Sequence, residues 1–407
     1  MALPLTGVTV LDLSRVLAGP YRTMVLGDLG ADVIKIERFP GGDDSRTMGP
    51  FLDGESYCFA QVNRNKRGVA LDLKDPEGLK ALLAIAAKSD IVVENFRPGT
   101  TKRLGCDYES VRTLNPDVIY CSISGFGQTG PYAQRPAYDI IAQGISGFLS
   151  MTGHPGGPPA KVGIAINDVA GGSTAVQAIL AAHISKLTGG GGQYIDLSLV
   201  ESGVAWTVWE AAAYFGAHEV ASAVGTRHRR SAPYQAYRTS DGYVTVGANT
   251  ERMWRALCVD VLDHPEWAES AKYGTAPDRL ANVDELEQDI EAVLITAPTD
   301  HWVAKMLAVG VPAGPVNTYD QMLSDPHLVA RQVTTTVEHP AMGSLQTLSS
   351  PLRLSATPPQ IQRAAPLFGQ HSAEVLIAAG YSREDAAALH ASGAVFDHEL
   401  SLVTRAR

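Results

Sequence analysis

Asp168 is the only acid in the run "KVGIAINDVAGGSTA" (Lys161 to Ala175), preceded by Val162, Ile164 and Ile166 and followed closely by a Gly-Gly pair. A carboxylate there can serve in two ways. As an N-cap it would accept backbone N–H groups at the start of the helix that runs on to Lys186, a position Asp suits well. As a nucleophile it would have to be ionised and open to a bulky substrate. The small residues after it leave that room, and a helix N-terminus favours negative charge. The two readings can partly coexist.

A second set of residues could hold an anion. Arg38 closes "VIKIER", Lys66 and Arg67 precede "GVALDLK", Lys74 ends it, and "ENFRPGTTKRLG" adds Arg97, Lys102 and Arg103. In an open parallel sheet, ligands bind beyond the carboxyl ends of the strands, where Arg38, Lys74 and Arg97 are expected. Such a cluster suits a ligand with several phosphates; taken singly, each base also fits a solvated surface. The densest positive patch is "GTRHRRSAPYQ", with Arg227, His228, Arg229 and Arg230. It can bind a carboxylate or phosphate, or line a domain or subunit contact.

Three tempting motifs are read as ordinary structure. "GFGQTG" (Gly125–Gly130) fits GxGxxG after a strand, but Pro131 follows at once and Asp139 comes too soon for the ribose contact of a dinucleotide site. The glycines of "LTGGGGQYIDLSL" make a helix-to-strand loop. Cys58, Cys106, Cys121 and Cys258 are scattered without metal-ligand spacing, so they are expected reduced and mostly buried, with no metal site.

The elements that must position these residues alternate. "GVTVLDLS", "ADVIKIE", "GVALDLK", "DIVVENF" and "DVIYCSIS" read as apolar strands separated by helical stretches, which predicts a parallel sheet covered on both faces. Asp75 and Pro76 open one helix as N-cap and first residue; Ser382 with Asp385 opens another, and Gly393 stops it. "YQAYRTSDGYVTVGAN" reads as a hairpin about Ser240–Gly242. The expected division is a large domain over 1–200, a linker over 201–224, a small α+β domain over 225–325, and a linker and C-terminal part over 326–407 that returns to the large domain.

The whole chain bounds the partners. Its 407 residues, 45% apolar and 19% charged, describe a globular protein with a sizeable core. The net charge of −10 argues against a general nucleic-acid binder but leaves room for local anion sites. The N-terminus lacks a basic n-region and a cleavage signature, and Val169–Ser185 carries Gly, Gln, Ser and His, so it reads as a buried helix and the expectation is a cytoplasmic protein without a membrane span.

Several ordered stretches together resemble one family. "VLDLSRVLAGPYRTMVLGDLGADVIKIERFPGGDDSR", "NRNKRGVALDLKDPEG", "VVENFRPGTTKRLG", "SGFGQTGPYAQRPAYD" and "GVPAGPVNT" look like the class III coenzyme A transferases, the CaiB/BaiF group that includes formyl-CoA transferase. The likeness spans about Leu5 to Val395. It implies an interlocked homodimer, each chain with a Rossmann-like large domain built from both chain ends and a smaller middle domain. It places the family's nucleophilic aspartate on Asp168, its CoA-contacting arginine on Arg38 and its phosphate-binding arginine on Arg103. Lys74 falls near the lysine of the adenine pocket and Tyr138 on a tyrosine near the thioester. Val16 and Ala18 join the expected CoA contacts. CoA itself enters as part of a substrate, and no metal or redox cofactor is required.

Two departures from the pattern matter. Leu17 stands where formyl-CoA transferase has a glutamine, and "RHRRSAPYQ" stands about where it has a glycine-rich mobile loop. The related racemases place a histidine where this chain has Tyr138, and a phenol with an ordinary pKa near 10 shuttles protons poorly at neutral pH. The resemblance therefore implies CoA transfer between two acids through covalent intermediates on Asp168, with amides near Gly171–Gly172 available to an oxyanion. Arg227, Arg229 and Arg230 raise a dicarboxylic donor such as succinyl-CoA. An acyl-CoA racemase and a non-catalytic CoA-binding homologue are the alternatives.

Overall fold

Alternation at a period of two sends successive side chains to opposite faces of a strand. In the computed structural model, which describes residues 2–405, that alternation builds one sheet with a core on each side. The parallel strands are β1 (Thr9–Asp12), β2 (Asp32–Arg38), β3 (Lys66–Leu71), β4 (Ile91–Glu94), β5 (Ile119–Ser124) and β6 (Tyr194–Ser198); β7 (Val395–Phe396) pairs antiparallel with β3. The spatial order is β7-β3-β2-β1-β4-β5-β6. Strand order reverses between β1 and β4, and the crevice beyond their carboxyl ends is the topological switch point of a doubly wound sheet.

Leu11, Ile34, Val69 and Val92 face one core, shared with α2 (Pro76–Ala86) and the helices Ser372–Ala379 and Arg383–Ser392. Val10, Val33, Ile91 and Val93 face the other, packed by α1 (Pro20–Asp28) and α4 (Ile166–Leu187). Between these in sequence, α3 (Asp139–Ile145) follows the loop after β5. Local signals behave as expected. Asp75 caps α2 by accepting the Glu77 N–H, with Pro76 in its first turn. Ser382 and Asp385 form a reciprocal capping box, and Gly393 ends that helix in the left-handed region. The GxGxxG stretch opens no helix of its own; the Gln128 N–H is taken by Asp196.

Two compact units emerge. The larger runs through Phe148, resumes over Lys161–His218 and resumes again from Val329, so both chain ends contribute strands to its sheet. The smaller comprises Leu149–Ala160 and Glu219–Leu328. The segment 149–160, read from sequence with the large domain, thus clusters with the smaller unit, whose main stretch begins and ends a few residues outside 225–325. Its hairpin, Tyr234–Arg238 with Tyr243–Gly247, takes Ala313–Pro315 as a third antiparallel strand. Trp254, Leu286, Ile290 and Trp302 fill the core beneath it.

Among the described residues, no helix is long and apolar enough to cross a membrane. There is also no cluster of His, Cys, Asp and Glu arranged to hold a metal. Cys106, Cys121 and Cys258 are buried free thiols, while Cys58 is exposed.

Candidate active site

The run before Asp168 forms no strand. Helix α4 begins at Ile166, with Ala165 at its cap, and Asp168 is its third residue. The N-cap reading is therefore corrected: the side chain that serves the first turn belongs to Asp139, at the start of α3. Its Oδ1 accepts the N–H of Asn167 at 2.8 Å and of Asp168 at 3.3 Å. Asp139 is fixed in turn by Gln143, whose Nε2 donates to Oδ2 at 2.6 Å. The buried Asn167 donates to Ser146 and to the Leu199 carbonyl, tying the same turn to two neighbouring segments. With capping done by another acid, the half-buried Asp168 carboxylate is left available for chemistry.

Its electrostatics also differ from expectation. A helix N-terminus was expected to hold Asp168 ionised. Instead burial, and then the charge of Asp139, push its carboxyl up to about 6, against the opposing pull of Arg22. At neutral pH it is still mostly the carboxylate, but it is more basic than an ordinary Asp. A desolvated, more basic carboxylate is the stronger nucleophile.

Arg22 of α1 carries no sequence signal for this site. It is fully buried, and its Nη2 donates to the Asp168 main-chain carbonyl at 2.6 Å. Gly172 leaves room for that approach, since a Cβ there would lie 2.8 Å from Arg22 Nη2, whereas one on Gly171 would first meet Leu199 at 2.6 Å. Gly171 and Gly172 sit inside α4, where the helical pattern commits their N–H groups to carbonyls four residues back. The expectation that these amides face an oxyanion is overturned.

At the switch point, Leu13, Arg15, Ile36, Arg38, Leu73 and Phe96 are among the residues lining a cleft. Arg38 is the last residue of β2 and exposed, paired with Asp44 at 2.7 Å; Arg15 shares that carboxylate at 3.2 Å. Lys74 is exposed in the turn beyond β3, which ends at Leu71 rather than Lys74. Arg97 and Arg103 are exposed beyond β4, and Arg103 donates to Thr100 at 3.1 Å. Because β3, β2, β1 and β4 are neighbours, these bases follow adjacent strand ends along one sheet edge. Lys66 does not belong with them: it is the first residue of β3, fully buried and paired with Asp12 at 3.0 Å.

The loop between β1 and α1 carries the remaining expected contacts. Val16 has a φ of 66°, left-handed backbone that a β-branched residue rarely adopts. Asp43 accepts its N–H at 3.0 Å, and the buried Lys35 binds Asp43 at 2.8 Å and the Ser14 carbonyl. Asn95 clamps Arg15 by accepting its N–H and donating to its carbonyl, both at 2.8 Å. Leu17 is half-buried and Ala18 buried. Tyr138, immediately before Asp139, leaves 78% of its surface exposed.

The description "CoA-transferase family III" fits residues 5–372 of this chain. The chain belongs to CoA-transferase family III. Human succinyl-CoA:glutarate CoA-transferase is 41% identical over 374 residues, covering 92% of this chain and 85% of the human one. Succinate–glutarate CoA-transferase of Agrobacterium fabrum is 38% identical over 385 residues, covering 92% and 95%. A CaiB/BaiF family protein from Brucella suis superposes with a TM-score of 0.85 at 35% identity, over 93% of this chain and all of that one. This family III chain is accordingly an enzyme that transfers CoA between carboxylic acids.

In the transferase, the basic segment expected to meet substrate lies in the smaller unit, and much of its charge is already answered there. Arg227 pairs with Glu287 and with Asp284, and Arg230 pairs with Glu219 at 2.5 Å. His228 donates its N–H to the Tyr234 carbonyl at 2.9 Å and rests its ring against Tyr234; Arg229 is half-buried. Arg227 and Arg230 are thus first of all structural, which weakens them as a dicarboxylate clamp.

Proposed function

We propose that this transferase moves CoA from a dicarboxylic acyl-CoA donor, such as succinyl-CoA, to a second dicarboxylic acid through covalent intermediates on Asp168. The observation that carries the reading is the division of labour at α4: Asp139 satisfies the first turn, so Asp168 is spared that task and stays basic. The dicarboxylic class is supported by the relatives, whose names pair succinate with glutarate.

The steps balance without a metal or redox group. An Asp168 oxygen attacks the donor's thioester carbon, the C–S bond breaks, and an aspartyl acyl anhydride forms beside the CoA thiolate. The thiolate attacks the Asp168 carbonyl carbon, releasing the donor acid and leaving an aspartyl-CoA thioester. The acceptor carboxylate attacks that thioester and expels the thiolate. Attack of the thiolate on the acceptor's acyl carbon then breaks the anhydride and returns the electron pair to Asp168. Arg38, Lys74, Arg97 and Arg103 would hold the nucleotide end, with Val16 and Ala18 against the ligand. Binding energy collected far from the thioester positions it for attack.

A homodimer is supported by the helix Val208–Ala217, which leaves Trp209 and Phe215 each 79% exposed; a second copy would cover such a face. For the chemistry, intact-protein mass spectrometry after mixing with succinyl-CoA should show a CoA-sized adduct in the parent enzyme and none in Asp168→Asn. Freshly prepared Asp168→Asn that still exchanges CoA would overturn the reading.

A further inference from the structure

Arg22 is an anomaly until Asp168 is considered. Its guanidinium is fully buried, and its Nε and Nη1 have no hydrogen-bond partner among the described residues. Nη2 donates to a carbonyl, not to a carboxylate. The titratable groups that face it are Tyr21 on its own helix, Cys121 on β5 and Asp168 on α4. Burial pulls the guanidinium down to about 10, which leaves it charged at neutral pH. A buried cation without an ion pair costs several kcal/mol, and an apolar side chain of similar volume would pack there more cheaply. The fold also gives up helix propensity to admit it, because Gly172, whose Cβ would lie 2.8 Å from Nη2, sits inside α4 where alanine would favour the helix.

We propose that Arg22 is a positioning residue that acts as the counter-charge of the Asp168 nucleophile, holding it ionised at rest and making it a good leaving group when the intermediate breaks down. The inference rests on the nucleophile reading above and adds a residue to it. The electrostatics follow from the steps. Asp168 is negative in the resting enzyme and neutral in both the anhydride and the thioester. A fixed cation therefore stabilises the resting carboxylate relative to both adducts. In the last step the C–O bond to Asp168 breaks and its electron pair returns to the carboxylate beside Arg22. Asp139 on α3 opposes this effect, so Arg22 offsets the acid that caps the same turn. Neither free nitrogen is exposed to substrate, so Arg22 acts only through Asp168.

The test compares Arg22→Met, which removes the charge at similar volume, with Arg22→Lys, which keeps it. The readouts are the pH profile of kcat and the steady-state fraction of covalent adduct by intact mass. In the parent the acid limb should lie near pH 6. In Arg22→Met it should move up by about one pH unit, the low end for loss of a nearby opposite charge, and the adduct fraction should rise several-fold. Arg22→Lys should restore both. A folded Arg22→Met with the parent's limb and adduct level overturns the proposal. So does an Arg22→Met that fails to fold, since the guanidinium would then be serving the fold itself. Asp168→Asn run in parallel separates the two failures: if it stays active, the nucleophile reading fails, whereas if it is dead and the limb of Arg22→Met is unmoved, only the role of Arg22 fails.

Discussion

At the scale of single residues, Asp168 as the proposed nucleophile would trade stability for reactivity. Its carboxyl titrates near 6 in the folded protein against about 3.9 for an ordinary Asp, so the native state holds this proton more tightly than the unfolded chain. The linkage sign follows: the penalty is absent below the unfolded value, grows as pH rises between the two, and is complete above about 6. Asp168→Asn should therefore stabilise the protein by about 1–2 kcal/mol at pH 7.5, after allowance for partial solvent screening, while exchange activity falls by about a thousand-fold or more. Thermal unfolding of both proteins at pH 7.5 and pH 5 checks this. The gain should shrink at the lower pH, and an equal or larger gain there would mean that the carboxylate is not under strain.

At the scale of elements, the first two turns of α4 are shaped by residues distant in sequence. Gly172→Ala would add helix propensity worth about 1 kcal/mol, yet its Cβ would lie 2.8 Å from Arg22 Nη2. The clash should win, giving a net loss of about 1–3 kcal/mol by chemical denaturation, and Arg22→Met in the same chain should recover most of it. Additive losses in the double variant would show that Gly172 is not there for the guanidinium. This site also marks where the sequence stops being readable. The caps at Asp75 and Ser382 and the hairpin at Tyr234–Gly247 were legible because their partners lie within a few residues. Asp168 resembled a cap because the residue that does the capping, Asp139, lies 29 positions upstream. The glycine pair looked like room for a substrate because what it admits, the Arg22 guanidinium at Gly172 and Leu199 at Gly171, sits on other helices. Arg227 and Arg230 looked like a ligand patch because Glu287 and Glu219 are apart from them in sequence.

At the scale of the whole molecule, a buried charge network ties the sheet to the switch-point loop. Lys66 on β3 binds Asp12 on β1, and Lys35 on β2 binds Asp43, with all four side chains essentially out of water. Lys35 holds the Asp43 carboxyl well below the usual range, so it stays charged through mild acid, and Asp43 holds Val16 in its left-handed conformation. Buried pairs of this kind stabilise little relative to apolar packing, so a purely structural purpose explains them poorly. Left-handed Val16 costs about 1–2 kcal/mol by itself, and such strain persists only where the surroundings over-determine it. The network is better understood as the device that sets the loop in front of the cleft lined by Arg38 and Phe96. Asp43→Asn keeps the shape but strips Lys35 of its counter-charge. It should cost about 3–5 kcal/mol of stability. In protein held folded at low temperature, it should also raise the KM for acyl-CoA about ten-fold with a smaller change in kcat if, as proposed, Val16 and Ala18 meet the CoA end of the ligand. Steady-state kinetics on the folded fraction distinguishes the cases: a kcat loss at unchanged KM would place the loop at the chemistry instead.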